Sequence, residues 1–229
     1  MKKIKVETNA KSIKGLLVIL IIIFAIPSII YIVSEKNIYG FWGYPTISLK
    51  FNISPLLNGI LFFSNFGLIS LLYVIIIKNY NNIFKNQKEI FIFIIVISAL
   101  FTIILPITST DVFYYISTGW SESKYGVNPY YTSVYELICN TKILDDEILN
   151  KIPRIWSNQK IVYGPIWPFI CKVLTSISFG NLSIALIIFK IFNFIIHLLN
   201  CRLIYKISNK KIFLLIYSLN PLILFEGLT

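Results

Sequence analysis

The sequence predicts an all-α membrane protein: a bundle of about five transmembrane helices with a large external loop that contains short helices. Hydrophobic residues make up 56% of the 229 residues. Several apolar stretches reach the roughly 18 residues that mark a membrane-crossing helix. The basic residues fall into three clusters that flank apolar blocks, which is the pattern of cytoplasmic loops under the positive-inside rule.

These clusters also account for the formal net charge of +11. A nucleic-acid-binding protein would carry its bases on a polar domain, and the sequence contains no such domain. We therefore expect membrane lipids, and no nucleic acid, as partners. The clusters consist of Lys2, Lys3, Lys5, Lys11 and Lys14, then Lys78, Lys85 and Lys88, and finally Arg202, Lys206, Lys210 and Lys211.

Residues 1–108 form a predicted membrane region with three spans, at 15–34, 56–77 and 90–108. The first apolar block is too long for a signal-peptide core, and no small-residue cleavage site follows it, so it is predicted to be an uncleaved anchor. The basic residues before it place the N-terminus in the cytoplasm. The chain is therefore expected to be a multi-pass protein of the cell membrane.

Residues 109–181 form the predicted extracytoplasmic loop, and Asp111 stands at its start, directly after the third span. Ser109 or Thr110 could cap a helix that runs from about Asp111 to Ser123 and is ended by Gly126. Further along, the acidic run at residues 145–147 is interpreted as a solvated helix start rather than a metal site, because no histidine or further carboxylate accompanies it at ligand spacing.

Residues 182–229 carry two further predicted spans, at 182–201 and 212–228. Residues 165–179, just before them, are apolar but short, and they include Pro165, Pro168 and Lys172. If this segment crossed the membrane, the basic cluster at 202–211 would lie outside. If it is an interfacial helix, twelve bases and two acids lie inside, and the outside is nearly balanced. We therefore expect five spans.

Two sets of polar residues are candidates for a functional site. Asp111 is either a helix-capping residue or a reactive carboxylate at the membrane surface, where an acid usually has a function. In the span at 182–201, Lys190, Asn193 and His197 share one helix face by their spacing. They either snorkel and pack against neighbouring helices or form a polar stripe along a binding groove.

Taken in order, the motifs of the second half resemble the polytopic glycosyltransferases of the C superfamily (GT-C). The resemblance is closest to the polyprenyl-phosphate-mannose-dependent mannosyltransferases of bacterial envelopes. The residues that carry it are Asp111-Val112-Phe113-x-Tyr115, Gly119, Gly126-x-Asn128-Pro129-Tyr130, Trp156, Tyr163-Gly164-Pro165-Ile166-Trp167, Lys190-x-x-Asn193 and the stretch from Leu219 to Glu226.

The resemblance implies transfer of a hexose, with inversion, from a polyprenyl-phosphate sugar donor to a glycan or lipid-linked acceptor outside the cytoplasm. Asp111 matches the catalytic aspartate of the family. The expected substrate-binding residues are Tyr115, Asn128, Tyr130, Tyr163, Lys190 and Asn193, and Arg154 is added to them only because its charge suits a phosphate. No metal ligands and no cofactor are predicted, although the chemistry is compatible with a divalent cation. The sequence has no Asp-x-Asp pair of the kind that indicates use of a nucleotide sugar.

Two alternatives follow from the same sequence. Enzymes of this kind usually continue through several more spans, so the chain is expected to be the N-terminal part of a longer protein, or else a truncated, non-catalytic membrane protein. The second alternative is a carrier or flippase for a lipid-linked or anionic substrate. Transporters tend to contain repeated halves, and this sequence shows no internal repeat.

Overall fold

The computed structural model describes residues 12–19, 21–22, 55–104, 106, 111–141, 146–151 and 154–228. These residues form helices and no strand, which confirms the all-α class. Residues 12–19 and 21–22 are helical, but most of the predicted first span lies outside the described residues. The helices that follow are α1 (Pro55–Ile83), α2 (Gln87–Ile103), α3 (Asp111–Tyr125), α4 (Val134–Thr141), α5 (Arg154–Ser157), α6 (Ile166–Ser176), α7 (Leu182–Ser208), α8 (Lys211–Ser218) and α9 (Pro221–Leu228), with a 3₁₀ turn at Leu149–Lys151.

Within the described part of the chain, two helices are long and apolar enough to cross a membrane. They are the Phe63–Ile83 part of α1 and the whole of α7, which match the predicted second and fourth spans. Helix α2, at the predicted third span, ends at Ile103, and Ile104 is already extended (ψ 130°). Pro106 follows two residues later, and its ring nitrogen has no N–H to donate to the Thr102 carbonyl, so the helix could not continue through this position.

The predicted fifth span at 212–228 is broken in the structure. The segment consists of two eight-residue helices, α8 and α9, that are bent by 51° at a short break and would form a third span only as a pair. Pro221 has no backbone N–H with which to continue α8. Asn220 instead begins a new helix, because its side-chain oxygen accepts the amide of Leu222 at 3.0 Å.

The chain divides into two compact units. Unit 1 comprises residues 1–108 and 193–229, and unit 2 comprises residues 109–192. Unit 1 is held by a core of isoleucine, leucine and phenylalanine side chains. Phe225 of α9 is central to it, since its ring lies 5.3 Å from that of Phe66 in α1 and 5.0 Å from that of Phe101 in α2. Aromatic contacts of this kind add to the dispersion energy of the core.

Contacts within unit 1 join Lys14, the loop before α2 and the end of α7. Lys14 forms an ion pair with Glu89, at the start of α2, and also donates to the carbonyl of Ile83. Tyr205, near the end of α7, donates a hydrogen bond of 2.8 Å to the side chain of Gln87. Lys14, the loop before α2 and the end of α7 are therefore neighbours within unit 1.

Unit 2 is built on the close packing of α3 against α6. The ring of Tyr115 meets that of Trp167 edge-on at 5.2 Å, and Glu122 pairs with Lys172 at 3.2 Å. Since the residue numbers of these contacts rise together, the two helices run in the same direction. Between the two contacts lies Gly119, against the carbonyl of Cys171. Small residues at such crossings let helix backbones approach closely.

We expect Gly119→Ala to destabilise unit 2. A Cβ at this position would overlap the Cys171 carbonyl and lie 2.8 Å from Thr175 Oγ1, so α3 and α6 would have to separate. Overpacking of this kind costs about 1–3 kcal/mol. The measurement is thermal unfolding followed by tryptophan fluorescence. Gly164→Ala is the matched control, because a Cβ there meets no atom within 4 Å, and an equal loss in both variants would contradict the packing argument.

Helix α6 also bears on the number of spans. Its 11 residues extend about 16 Å at 1.5 Å per residue, against a hydrocarbon core of about 30 Å. As a single helix it is too short to cross, which agrees with its predicted location at the membrane surface. Its side chains divide accordingly, with Cys171 and Thr175 fully buried against α3 and Ile166 and Phe169 strongly exposed.

Candidate functional site

Asp111 is the first residue of α3 and is half-buried. The backbone N–H groups of the first turn and the helix dipole favour a negative charge at this end of a helix. At the other end, the Gly126 amide donates to the Glu122 carbonyl at 3.2 Å, and Gly126 has a positive φ of 66°. This is the left-handed cap that glycine adopts without strain, and it confirms the predicted end of the helix.

Three of the predicted substrate-binding residues are joined by hydrogen bonds. The hydroxyl oxygens of Tyr115 and Tyr163 are 2.9 Å apart, and the Tyr130 hydroxyl donates to the Tyr163 carbonyl at 2.7 Å. We call these three residues the tyrosine chain. Tyr115 lies one helical turn after Asp111. Burial, the hydrogen bond with Tyr163 and the nearby charge of Asp111 all raise the pKa of Tyr115, so its hydroxyl stays protonated at neutral pH.

An apolar pocket of about 360 Å³ adjoins the tyrosine chain at the start of α6. Tyr163 and Trp167 form part of its wall, and Ile166 and Ile170 contribute aliphatic surface. The Tyr163 ring is edge-on to Tyr115 at 5.6 Å. Pockets of this size and composition bind the apolar part of a ligand, and a few hydroxyls at the rim fix its orientation.

Asn128 supports the turn that carries Tyr130. Its side-chain oxygen accepts the Tyr130 amide at 3.0 Å, and its carbonyl accepts the amides of Tyr131 and Thr132, both at 3.1 Å. The Pro129 carbonyl accepts the Ile161 amide at 3.0 Å, and this hydrogen bond joins the turn to the irregular segment just before Tyr163. Asn128 therefore acts on the tyrosine chain through the backbone.

The remaining predicted site residues are not members of the tyrosine chain. Arg154 begins the short helix α5, and its side chain lies outside the described atoms. Lys190 is 7% exposed in α7, and Asn193 follows one turn later and is half-buried. His197 lies on the same face of the helix by its spacing, where its ring stacks on that of Tyr217 at 5.4 Å. The packing interpretation therefore holds for His197.

The prediction of a solvated acidic run is wrong at Asp146. This carboxylate is 5% exposed and accepts hydrogen bonds from five donors, each within about 3 Å. The donors are Trp120 Nε1 (2.9 and 3.1 Å), Lys124 Nζ (2.9 Å), the Tyr125 hydroxyl (2.7 Å) and the amides of Ile148 and Leu149 (both 3.0 Å). Asp145 lies outside the described residues. Among those that are described, no group of three or more His, Cys, Asp or Glu side chains could hold a metal ion.

These donors determine the charge state of Asp146. Burial by itself raises the pKa of the carboxyl, but the hydrogen bonds from Leu149, Lys124, Trp120 and Tyr125 outweigh it and lower the pKa to about 2. Lys124 also lies over the Trp120 ring, 5.1 Å from its centroid. Asp146 is thus an ionised, buried acceptor that ties the segment before α5 to the end of α3.

Sequence reasoning missed Asp146 because its side-chain donors are 21 to 26 residues away in the chain. It also assigned no role to the pair formed by Glu122 and Lys172, which joins α3 to α6. The available signal was compositional, since Trp120, Lys124 and Tyr125 place three hydrogen-bond donors near the end of α3. A buried tryptophan N–H usually requires an acceptor.

Comparison with known proteins identifies the family to which the chain belongs. No curated protein and no solved structure matches the chain. The model of one protein family, described as alpha-(1->6)-mannopyranosyltransferase, N-terminal domain, matches residues 14–229. The match covers nearly the whole chain, including Asp111 and the tyrosine chain, and it agrees with the mannosyltransferase resemblance of the motifs. The chain therefore belongs to the alpha-(1->6)-mannopyranosyltransferase family and is a glycosyltransferase of the mannosyltransferase type.

Proposed function

We propose that this protein transfers a mannosyl group from a polyprenyl-phosphate donor to a glycan or lipid-linked acceptor on the extracytoplasmic face of the membrane, with inversion. The acceptor hydroxyl oxygen forms a bond to the anomeric carbon as the bond from that carbon to the donor phosphate oxygen breaks. The phosphate leaves with the bonding electron pair, and the carboxylate of Asp111 takes the hydroxyl proton. General-base assistance of this kind contributes about 10²–10⁴-fold to the rate.

The position of Asp111 is the observation that carries this proposal. A general base must be ionised and within reach of substrate. Asp111 is half-buried at the N-terminus of α3, where the helix favours its charge. One turn further on, Tyr115 begins a wall of hydroxyls and aromatic rings beside an apolar pocket. A sugar joined to a lipid phosphate has the matching combination of hydroxyls and hydrocarbon.

The departing phosphate needs a partner for its growing negative charge. Lys190 suits this role, because a lysine within a membrane helix is costly unless it serves a partner or a polar cavity. Arg154 is the second cationic candidate, on the external loop that holds Asp111. Arg154 is assigned by its charge alone, whereas Lys190 also belongs to the Lys190-x-x-Asn193 motif of the resemblance.

The orientation of the protein follows from its basic clusters. Lys14, the basic loop before α2 and the basic end of α7 meet within unit 1, which is consistent with a cytoplasmic location for these segments under the positive-inside rule. Asp111 follows the third predicted span and would then be extracytoplasmic. Lipid-phosphate sugars are donors suited to that side, where nucleotide sugars are not supplied.

The donor class can be tested with the purified protein in lipid nanodiscs. We expect transfer of radiolabelled mannose from β-linked polyprenyl-phosphate mannose to a synthetic α-(1→6)-mannoside, because inversion to an alpha product requires a beta donor. The α-linked donor and GDP-mannose should give no product. Transfer from GDP-mannose, or equal use of both lipid anomers, would contradict the proposal. The product linkage is read by NMR.

A further inference from the structure

Exposed basic side chains gather in unit 1 where the start of α2 meets the end of α7. The two helices are joined there by the Tyr205 hydroxyl, which donates a hydrogen bond of 2.8 Å to the side chain of Gln87. Lys88 follows Gln87 directly, and Arg202 and Lys206 flank Tyr205 on α7. All three basic residues are exposed. We call Lys88, Arg202 and Lys206 the basic junction.

No acid of the described residues forms an ion pair with the basic junction. Glu89 is the acid nearest to it in the sequence, but its carboxylate already accepts from Lys14 and from the Lys85 amide. Glu226, the other described acid of unit 1, lies on α9, which contacts Phe101 near the opposite end of α2. Like charges held close together repel one another, so the junction favours an anion from outside the chain.

An exposed apolar stripe on α7 extends to the same place. Leu199, Leu203 and Ile207 are 49%, 53% and 84% exposed, and their spacing of four residues puts them on one face of the helix. Arg202 directly precedes Leu203, and Lys206 directly precedes Ile207. Basic and apolar side chains therefore lie side by side, which matches a ligand that combines an anionic head with hydrocarbon chains.

The length of α7 places the basic junction at the depth of lipid headgroups. The helix has 27 residues, about 40 Å at 1.5 Å per residue, whereas the hydrocarbon core is about 30 Å thick. With the predicted span at 182–201, Arg202 lies at the edge of the hydrocarbon and Lys206 lies one turn beyond it. In the proposed orientation this is the cytoplasmic leaflet, whose anionic lipids attract basic segments next to membrane helices.

From these observations we infer that the basic junction binds the phosphate headgroup of an anionic phospholipid, and that an acyl chain of this lipid lies along the apolar stripe of α7. The Arg202 guanidinium can donate to two phosphate oxygens at once, and Lys88 and Lys206 add single charge-assisted hydrogen bonds. The lipid would reinforce the contact that Tyr205 makes between α7 and α2. This site belongs to unit 1, whereas Asp111 belongs to unit 2, so lipid binding does not depend on mannosyl transfer.

The test is native mass spectrometry of the full chain in detergent, titrated with dioleoyl phosphatidylglycerol or dioleoyl phosphatidylcholine. The wild type should bind its first phosphatidylglycerol about tenfold more tightly than its first phosphatidylcholine. In Arg202→Gln/Lys206→Gln the affinity for phosphatidylglycerol should fall about tenfold or more, because each base near an anionic lipid contributes several-fold to binding. Arg202→Lys/Lys206→Arg keeps both charges and should stay within about threefold of the wild type.

The matched control is Lys160→Gln/Lys172→Gln, which removes two partly exposed lysine charges from unit 2. This variant should keep the wild-type affinity for phosphatidylglycerol. An equal fall in the control would mean that the lipid responds to overall charge. Unchanged binding by Arg202→Gln/Lys206→Gln would place the lipid elsewhere on the protein, and an equal loss in Arg202→Lys/Lys206→Arg would show that charge is not what binds it. Each of these three results would overturn the proposed site.

Glycerol 3-phosphate separates a lipid site from a site for soluble phosphates. It carries a phosphate headgroup without acyl chains, so at millimolar concentration it should not displace the bound phosphatidylglycerol. Displacement of the lipid by glycerol 3-phosphate would show that the basic junction recognises the phosphate alone, and this result would overturn the assignment to a phospholipid.

Discussion

Replacing Asp111 by Asn is expected to lower kcat for mannosyl transfer by about 10²–10⁴-fold, the usual contribution of a general base. Asparagine keeps the size of the side chain and is compatible with the first turn of α3, so the helix should form as before. It cannot accept the proton of the attacking hydroxyl. The measurement is the initial rate at saturating donor and acceptor, normalised to the amount of folded protein in the nanodiscs.

The control for this prediction is Glu147→Gln. Glu147 is another carboxylate of unit 2, and its exposure leaves it without a structural role comparable to that of Asp146. Its replacement should leave the transfer rate within twofold of the wild type. If Asp111→Asn retained full activity, or if both variants lost activity equally, Asp111 would not be the base. A specific loss would separate catalysis from the general charge of the external loop.

The helical class and the approximate spans could be predicted because they depend on local pattern. Long apolar runs determine where α1 and α7 lie in the sequence. Gly126 determines where α3 ends, because glycine adopts the positive φ of that position without strain. The break between α8 and α9 was also encoded locally, in Asn220-Pro221. It was missed because hydropathy averages over a window and gives a proline within an apolar run little weight.

The arrangement of the candidate site depends on contacts between distant residues. Tyr115 and Tyr163 are 48 residues apart, and their hydrogen bond forms only because α3 and α6 pack side by side. Motif order could identify both residues but could not show that they touch. Asp146 is the stronger case, because an acidic run reads as solvent-exposed, and only the fold supplies the donors that make its burial favourable.

Replacing Asp146 by Ala should destabilise unit 2 by about 3–5 kcal/mol, because buried donors would lose their acceptor and each unsatisfied group costs about 1–3 kcal/mol. Trp120 Nε1 and the amides of Ile148 and Leu149 are the donors that water reaches least. Lys124 is partly exposed and can return to solvent. Tryptophan fluorescence is a suitable probe, since the indole of Trp120 donates directly to this carboxylate.

The same carboxylate should make the stability of unit 2 depend on pH. Its folded pKa of about 2 lies below the value of about 3.9 for an unfolded aspartate. A group with a depressed folded pKa stabilises the protein fully above its unfolded pKa, and that stability is lost as the pH falls through the folded value. The unfolding temperature should therefore decline between about pH 4 and pH 2 in the wild type, and this decline should be smaller in Asp146→Asn.

Two comparisons decide whether Asp146 has this role. Glu147→Gln changes the neighbouring exposed acid and should alter the free energy of unfolding by no more than about 0.5 kcal/mol, as is usual for surface positions. Asp146→Asn should fall between the wild type and Asp146→Ala, because the amide oxygen can still accept from Trp120 or from one backbone amide, although its NH₂ group now faces donors. Wild-type stability in Asp146→Ala, or an acid transition that is the same in all variants, would mean that the end of α3 is held by its apolar contacts alone.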